Sequence, residues 1–408
     1  MQTVKFDVIV IGGGAAGMFA AITAGSRGKR VALVERNDRL GKKLRITGKG
    51  RCNVTNDCTA EEFFRNVPRN SRFLFSAVTV FPPASIKTYF EAHGCPLKTE
   101  RGNRVFPVSD SAGSILEALD RGLRQTKVTV LHARVTGIRV EDGSVAGVMT
   151  DQGAFDAAAV ILATGGCSYP ATGSTGDGYA MAEALGHHVI TPVGSLVPLE
   201  AEGDDCLKMQ GLSLRNVAVK LLNQKGKCVY RDFGELLFTH FGLSGPTILS
   251  ASTHMDNAGP YTIAIDMKPA LDENKLNDRL LRDLELYKNR SMVNALTDLL
   301  PRSMIPVILD RAGIPEDLPA HSLTKQQRRS IMENVKELRF PITGKRPVAE
   351  AIITSGGVKV SEVDPKTMQS KLVQGLYFAG EILDCDAYTG GFNLQIAWST
   401  AFAAGRSV

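Results

Sequence analysis

The sequence holds little from which to build a disulfide framework or a zinc site. Its seven cysteines, at positions 52, 58, 95, 167, 206, 228 and 385, are odd in number, and no two are spaced as CxxC. That excludes the staples of a small secreted domain and points to a reducing cytoplasm. Long apolar runs are scarce as well. The one candidate, Val8 to Gly25, has a glycine-rich centre and leads into a basic strand, so it reads neither as a membrane span nor as a signal peptide, and no membrane partner is expected. Internal repeats and low-complexity tracts are absent. His187 and His188 follow a helical pattern without carboxylates at ligand spacing, so no metal site is expected. A second nucleotide fingerprint is also missing, because Gly173-Ser-Thr-Gly-Asp-Gly178 has the wrong spacing.

What is present begins at Asp7. Val8 to Ile11 is a short apolar strand ending at Gly12, Gly14 and Gly17; a helical pattern follows from Ala15, and a second strand, Val31 to Val34, closes on Glu35. In such a βαβ unit Gly12 permits the tight turn, Gly14 lets the backbone approach a pyrophosphate, and Gly17 lets the helix pack closely on the strand. Phosphate oxygens then meet unpaired N–H groups at a helix N-terminus, and Glu35 is placed to accept from ribose hydroxyls. Dinucleotide binding is the expectation.

The net charge of +6 is modest but unevenly spread. Ten basic residues lie between Arg27 and Arg51, against only Glu35 and Asp38. Two readings stay open: a solvated face with a few partners for cofactor phosphates, or the footprint of a polyanion such as RNA.

With 408 residues the chain has room for two or three domains. After the basic glycine loop from Gly41 to Asn53, helical patterns run over Glu61 to Ser76, Pro83 to His93 and Ser114 to Arg124, with Gly102 to Pro107 read as a loop or short hairpin. Strands are expected at Val128 to Leu131, Val135 to Val140 and Val145 to Thr150, the last two joined by an Asp142-Gly143 turn. Ala157 to Gly166 reads as a buried strand running into a glycine turn that rejoins the first sheet. From about Thr191 alternating segments suggest an antiparallel β unit, and from Asp272 the pattern turns helical. The expected fold is α/β: a Rossmann-like domain formed by both chain ends, residues 1–190 and 345–408, with a β-barrel-like insert over 191–270 and a helical insert over 271–344.

Several blocks go beyond periodicity: GGGAAGMFAA, GKKLRITGKGRCNVTN, NRVFPVSDSAGSILEAL, LLFTHFGLSGPTILSAS, TSGGVKVSEVDPKTMQSKLVQGLYFAGEILD and TGGFNLQIAWSTAFAAG. On these, nearly end to end, the chain resembles the bacterial FAD-dependent oxidoreductases of the BaiN/RdsA type, aminoacetone-oxidase-like flavoproteins. The resemblance implies that the dinucleotide is FAD. By position it implies cofactor contacts from Gly12, Gly14, Ala15, Ala16 and Gly17, from Glu35, Arg36 and Lys43, and from Thr47, Gly48 and Asn53 of the second block. It further implies Val135 at the adenine, Thr164 and Gly165 beside the cofactor, and Gly380 and Glu381 at the ribityl-phosphate arm. Gly391, Asn393, Leu394 and Gln395 would set a helix N-terminus beneath the flavin pyrimidine, where reduced flavin gathers negative charge.

For catalysis three residues stand out. Cys52 is a candidate acid, although Lys49 and Arg51 beside it favour the thiolate; its other reading is a small packing residue. Arg51 either orients an anionic or carbonyl-bearing substrate or pairs with an internal carboxylate. Tyr388, just before the last glycine turn, either lines the substrate face or packs. Lys325, Arg328 and Arg329 on an insert helix read as a solvated face or as a grip on RNA. With no second nucleotide fold, NAD(P)H is expected only as a transient electron donor. The expected activity is reduction of an activated C=C bond, first of all uridine to dihydrouridine in 23S ribosomal RNA. The alternatives are reduction of a 3-oxo bile-acid enone or dienone, oxidation of aminoacetone, and RNA binding without redox turnover.

Overall fold

The computed structural model describes residues 5–255 and 259–408. The chain divides into two units, one made of the residues up to Ser195 and those from Val348 onward, the other of Leu196–Pro347. The first unit opens with β1 (Lys5–Ile11), a helix (Ala15–Ser26, hereafter the cradle helix) and β2 (Val31–Glu35). β1 and β2 are parallel, Val8 opposite Val31 through Ile11 opposite Val34. Both faces of the sheet are covered here, which is why the strands read as unbroken apolar runs. A small antiparallel sheet follows, from β3 (Thr55–Asn56), β4 (Leu97–Glu100) and β5 (Arg104–Pro107), in order β3-β5-β4. The segment from Gly102 is therefore the turn and second strand of a hairpin.

The main sheet is completed by β6 (Thr129–His132), β7 (Val135–Glu141), β8 (Ser144–Thr150) and β9 (Gly153–Leu162), in order β6-β2-β1-β9-β8-β7. Asp142 and Gly143 join β7 to β8 with φ of 48° and 75°, the pair of left-handed residues that a tight hairpin of native twist requires. β10 (Val189–Ser195) then leads to the second unit.

That unit is a closed barrel of β11 (Leu199–Ala201), β12 (Ser213–Leu222), β13 (Cys228–Thr239), β14 (Gly242–Ser244), β15 (Tyr261–Asp266) and β16 (Leu338–Lys345), in order β11-β14-β13-β12-β15-β16. Alternation along the strands turns Val217, Val219, Leu221, Ile263, Ile265 and Phe340 into a common core. Helices Glu273–Leu286, Ile305–Arg311 and Lys325–Lys336 lie between β15 and β16 in sequence. The barrel closes through β16, whose residues fall mostly in the stretch read from sequence as helical; its partners β11 and β15 are remote, and no local signal marks such pairing.

The chain then returns to the first unit. β17 (Ile353–Val358) pairs antiparallel with β10, and β18 (Leu376–Phe378) runs parallel to β9. The β10–β17 pairing is what assigns residues 191–195 to this unit and not to the insert. A last helix (Phe392–Ser407, hereafter the closing helix) lies directly on the cradle helix: a Cβ at Gly405 would stand 2.6 Å from the carbonyl oxygen of Ala20. Among the described residues no helix is long and apolar enough to cross a membrane.

Candidate dinucleotide site

Three glycines form the turn after β1 and a fourth, Gly17, lies in the first turn of the cradle helix; their surroundings separate them. Gly12 has φ +103°, and a Cβ there would meet the Ala163 carbonyl oxygen at 2.6 Å; at Gly13 it would meet Leu40 Cδ2 at 2.4 Å, and at Gly17 the Gly12 carbonyl oxygen at 1.7 Å. The fold itself needs these three. Gly14 is different: its φ is −81°, and a Cβ there would meet no atom within 4 Å. No protein group explains this glycine. It caps a helix that has neither a side-chain cap nor an acidic residue in its first turn. Open space, unpaired N–H groups and the positive end of a helix coincide there, and a pyrophosphate fits.

Glu35 is buried at the end of β2. Its Oε2 accepts from the Gly13 amide at 2.6 Å, and its Oε1 accepts from the Asn37 amide at 2.8 Å and Asn37 Nδ2 at 2.7 Å. Of about four lone-pair directions on a carboxylate, about one is left for a ribose hydroxyl. Glu35 thus braces the glycine turn and keeps limited capacity to accept from a sugar hydroxyl. Two further polar atoms, Thr164 Oγ1 and Asn53 Oδ1, are buried without a hydrogen-bond partner. Thr164 sits against Gly12, with its Cα 3.0 Å from the position of a Gly12 Cβ. Buried unsatisfied groups are costly; Tyr89 Oη and His187 Nδ1 share that state elsewhere, so Thr164 and Asn53 fit a ligand here without marking one.

The loop from Gly41 to Asn53 is left-handed at Gly48, Lys49, Gly50 and Cys52, with φ of 56°, 59°, 85° and 61°. Lys49 and Cys52 are uncommon residues for that region, and such strain gathers where a backbone must be held against a ligand. Thr47 Oγ1 donates to the Leu44 carbonyl at 2.7 Å. Lys43 Nζ meets Glu381 at 2.7 Å and Ser168 Oγ at 2.6 Å. Glu381 also accepts from the Thr354 amide at 2.8 Å and from Ser168 Oγ at 3.0 Å. Burial pushes the Glu381 carboxyl up, but Lys43 and these donors outweigh it and hold the group below its ordinary value. Lys43 and Glu381 therefore hold each other. Arg36 is likewise bound, to Asp177 at 2.8 Å. Val135 begins β7 with its side chain buried, and Gly165 has φ +76°.

The start of the closing helix is built on Gly390 and Gly391, with φ of 124° and 100°; a Cβ at Gly391 would meet the Thr55 carbonyl oxygen at 2.4 Å. Asn393 clamps the preceding loop, donating to the Ala387 carbonyl at 2.7 Å and accepting from its amide at 2.9 Å. Gln395 departs from expectation. Its Oε1 accepts from Thr55 Oγ1 at 2.7 Å, its Nε2 donates to the Phe81 carbonyl and Ser399 Oγ, and its amide donates to the Gly391 carbonyl. Its side chain is a core staple, and its amide is already used within the helix, unlike the N–H groups that open a helix.

The catalytic candidates also change character. Cys52 is fully buried beside Cys95, and burial pushes its thiol up to about 12, with Thr47 lowering it only in part. The thiolate expected from Lys49 and Arg51 is thus corrected: desolvation dominates over nearby solvated cations. Arg51 binds both Glu100 and Asp110 and lies 4.1 Å over the Phe106 ring, so of its two readings the internal ion pair is the one realised. Tyr388 is half-buried, its amide donating to the Asn66 carbonyl at 3.0 Å. Sequence reasoning missed a third feature. Asp384 and Asp386 are buried and share Arg69, at 3.0 and 3.3 Å, and Asp386 accepts from Ser355 and Ser195. Asp384-Cys-Asp carries no distinctive spacing, and its partners come from distant segments.

A mixed sheet with a parallel centre, a glycine turn with one unexplained opening, a braced terminal acid and a second helix N-terminus are those of a Rossmann-type dinucleotide-binding fold. The family described as HI0933-like protein Rossmann domain matches residues 6–407. The chain belongs to that family, the BaiN/RdsA-type FAD-dependent oxidoreductases. It is 32% identical to a 3-dehydro-bile acid delta(4,6)-reductase of Clostridium scindens, over 98% of each chain. It is 30% identical to a ribosomal RNA dihydrouridine synthase of Escherichia coli, over 99% of this chain and 98% of the relative. Among solved structures, a 3-ketosteroid-delta4-(5alpha)-dehydrogenase from Rhodococcus jostii RHA1 aligns with a TM-score of 0.55 at 17% identity, over 99% of this chain and 96% of that one. That likeness is one of fold.

Proposed function

We propose that this FAD-dependent oxidoreductase is an NAD(P)H-driven reductase of a C=C bond conjugated to a carbonyl, and that its substrate is a uridine of 23S ribosomal RNA, which becomes dihydrouridine. One observation carries the reading: full-length similarity to two relatives whose names describe the same chemical operation on different molecules. Saturating C5=C6 of uridine and saturating a delta(4,6) diene beside a 3-dehydro group both add hydride to an electron-poor carbon and a proton to its neighbour.

FAD, when bound, would supply the two-electron hydride chemistry that links an NAD(P)H donor to the alkene. In this reading Gly14 would receive the pyrophosphate, Glu35 would bind the ribose, and the N-terminus of the closing helix would stabilise negative charge on the reduced flavin. With a single dinucleotide cradle, donor and acceptor substrates use the same site in turn. With Cys52 fully buried and Arg51 held by Glu100 and Asp110, we assign the proton to Tyr388 among the sequence candidates. Arg45 and Lys49, both exposed on the loop at the cradle, favour a polyanion over a steroid with a single carboxylate.

The test is anaerobic reduction of the yellow protein by NADH or NADPH, followed by reoxidation with unmodified 23S ribosomal RNA or with a 3-oxo bile-acid enone. Reoxidation by RNA, with dihydrouridine found by mass spectrometry, is the expected result. Reoxidation by the enone alone replaces the substrate, reoxidation by oxygen alone favours amine oxidation, and RNA binding without product favours a binding role.

A further inference from the structure

The barrel turns Val217, Val219 and Leu221 of β12 inward, so the residues between them face outward. On that outer side the register sets Lys220 opposite Arg231 of β13. On its other flank Lys220 faces Ala264 of β15, which faces Arg339 of β16. Two cations therefore face each other across β12 and β13, whereas further along the row Ala264 is buried. Like charges directly opposite on neighbouring strands repel. Asp266 is engaged with Lys336 at 2.6 Å, and Glu337 neutralises Arg339 at 3.1 Å, which leaves Lys220 and Arg231 as the facing pair of cations without an acid partner among the described residues. Glu235, the next outward carboxylate on β13, lies four residues beyond Arg231. In the adjoining row Phe233 stands opposite Ala218 with 56% of its surface exposed. The turn of the same hairpin adds exposed Lys225 and Lys227, whose amides donate to Asn223 Oδ1 at 3.1 and 3.0 Å. By contrast, two of the three insert-helix cations singled out in the sequence have local partners: Arg328 bonds Asn277 and Arg329 bonds Glu333.

We infer that the outer face of the β12–β13 hairpin is a docking surface for single-stranded RNA, with Lys220 and Arg231 on successive phosphates and Phe233 stacked on a base. This rests on the RNA reading above and names a face of the second unit that grips the substrate. Sequence-tolerant RNA binding combines a cationic track with an aromatic platform. A lone exposed ring among cations suits stacked bases better than a protein partner, which needs a broader buried centre.

The experiment measures affinity of the full-length, FAD-loaded protein for a labelled oligouridine across a range of salt concentrations. K220Q/R231Q is expected to bind at least roughly tenfold more weakly, with a salt slope smaller by about 1.4, since each single-strand phosphate left without its cation lowers the slope by about 0.7. F233L weakens binding with the slope unchanged, K220R/R231K restores it, and K325Q/R329Q leaves it as in wild type. Wild-type affinity and slope in K220Q/R231Q overturn the docking face; if ribosomal RNA still reoxidises the protein, the proposed function stands without it. Loss of binding in that variant, in a protein that never reduces ribosomal RNA, keeps the face and removes the proposed substrate. Polyglutamate binding as tightly as oligouridine, with F233L silent, overturns RNA in favour of an acidic protein. Absence of oligouridine binding by the wild type overturns the inference.

Discussion

At the residue scale, the most informative position is a glycine that the protein does not need. Ala at Gly14 meets no atom within 4 Å, so Gly14→Ala should change the stability of the apoprotein by no more than about 1 kcal/mol, the usual range for a cap position. FAD affinity should nevertheless fall at least roughly tenfold, because the methyl occupies the phosphate space; calorimetric titration of FAD into the apoprotein checks both halves. Cys52 carries the opposite expectation. With its thiol pushed up to about 12, it should resist alkylation in the native protein at pH 8, and Cys52→Ala should leave turnover within about threefold while costing about 1–2 kcal/mol from lost packing. Alkylation at the rate of a free thiol would sink this account. The glycine motif was legible in the sequence because its spacing reports local geometry. The state of Cys52 was not, because charged neighbours in sequence say nothing about depth.

At the scale of elements, Lys43 and Glu381 tie the glycine loop to the turn after β18. The unfolded Glu381 carboxyl titrates near 4.5 and the folded one below that, so the pair's contribution is complete above that pH and is lost as pH falls through the folded value. Lys43→Met should cost about 1–3 kcal/mol at pH 7, less than for a fully buried pair because both side chains are 22% exposed. It should also flatten the acid limb of the stability curve, as followed by denaturant titration at several pH values. The packing of helix on helix has its own test. Gly405→Ala drives a methyl toward the Ala20 carbonyl and Thr23 and should lower stability by about 1–3 kcal/mol, read by thermal melting. Element types were largely readable from the 3.6 and 2 periods. Pairings such as β10 with β17, or β16 with β11, were not, since their partners lie in remote sequence.

At the scale of the whole molecule, the second unit is an excursion from the first. Ser195 pairs with Ile353 at the start of β17, so the two ends of the excursion lie close together within the first unit. Replacing residues 196–347 with a short flexible linker should therefore leave a protein that still binds FAD one to one but loses affinity for oligouridine. A protein without bound flavin would show that the first unit does not stand alone. The close packing of the cradle helix on the closing helix also sets an order of manufacture. Phe392 leaves the ribosome 366 residues after Ser26, on the order of 20–70 s later at roughly 5–20 residues per second. Through that interval the newborn cradle helix has no lid for its apolar side, and the nascent chain must be sheltered by its own early sheet or by a chaperone until the last segment arrives.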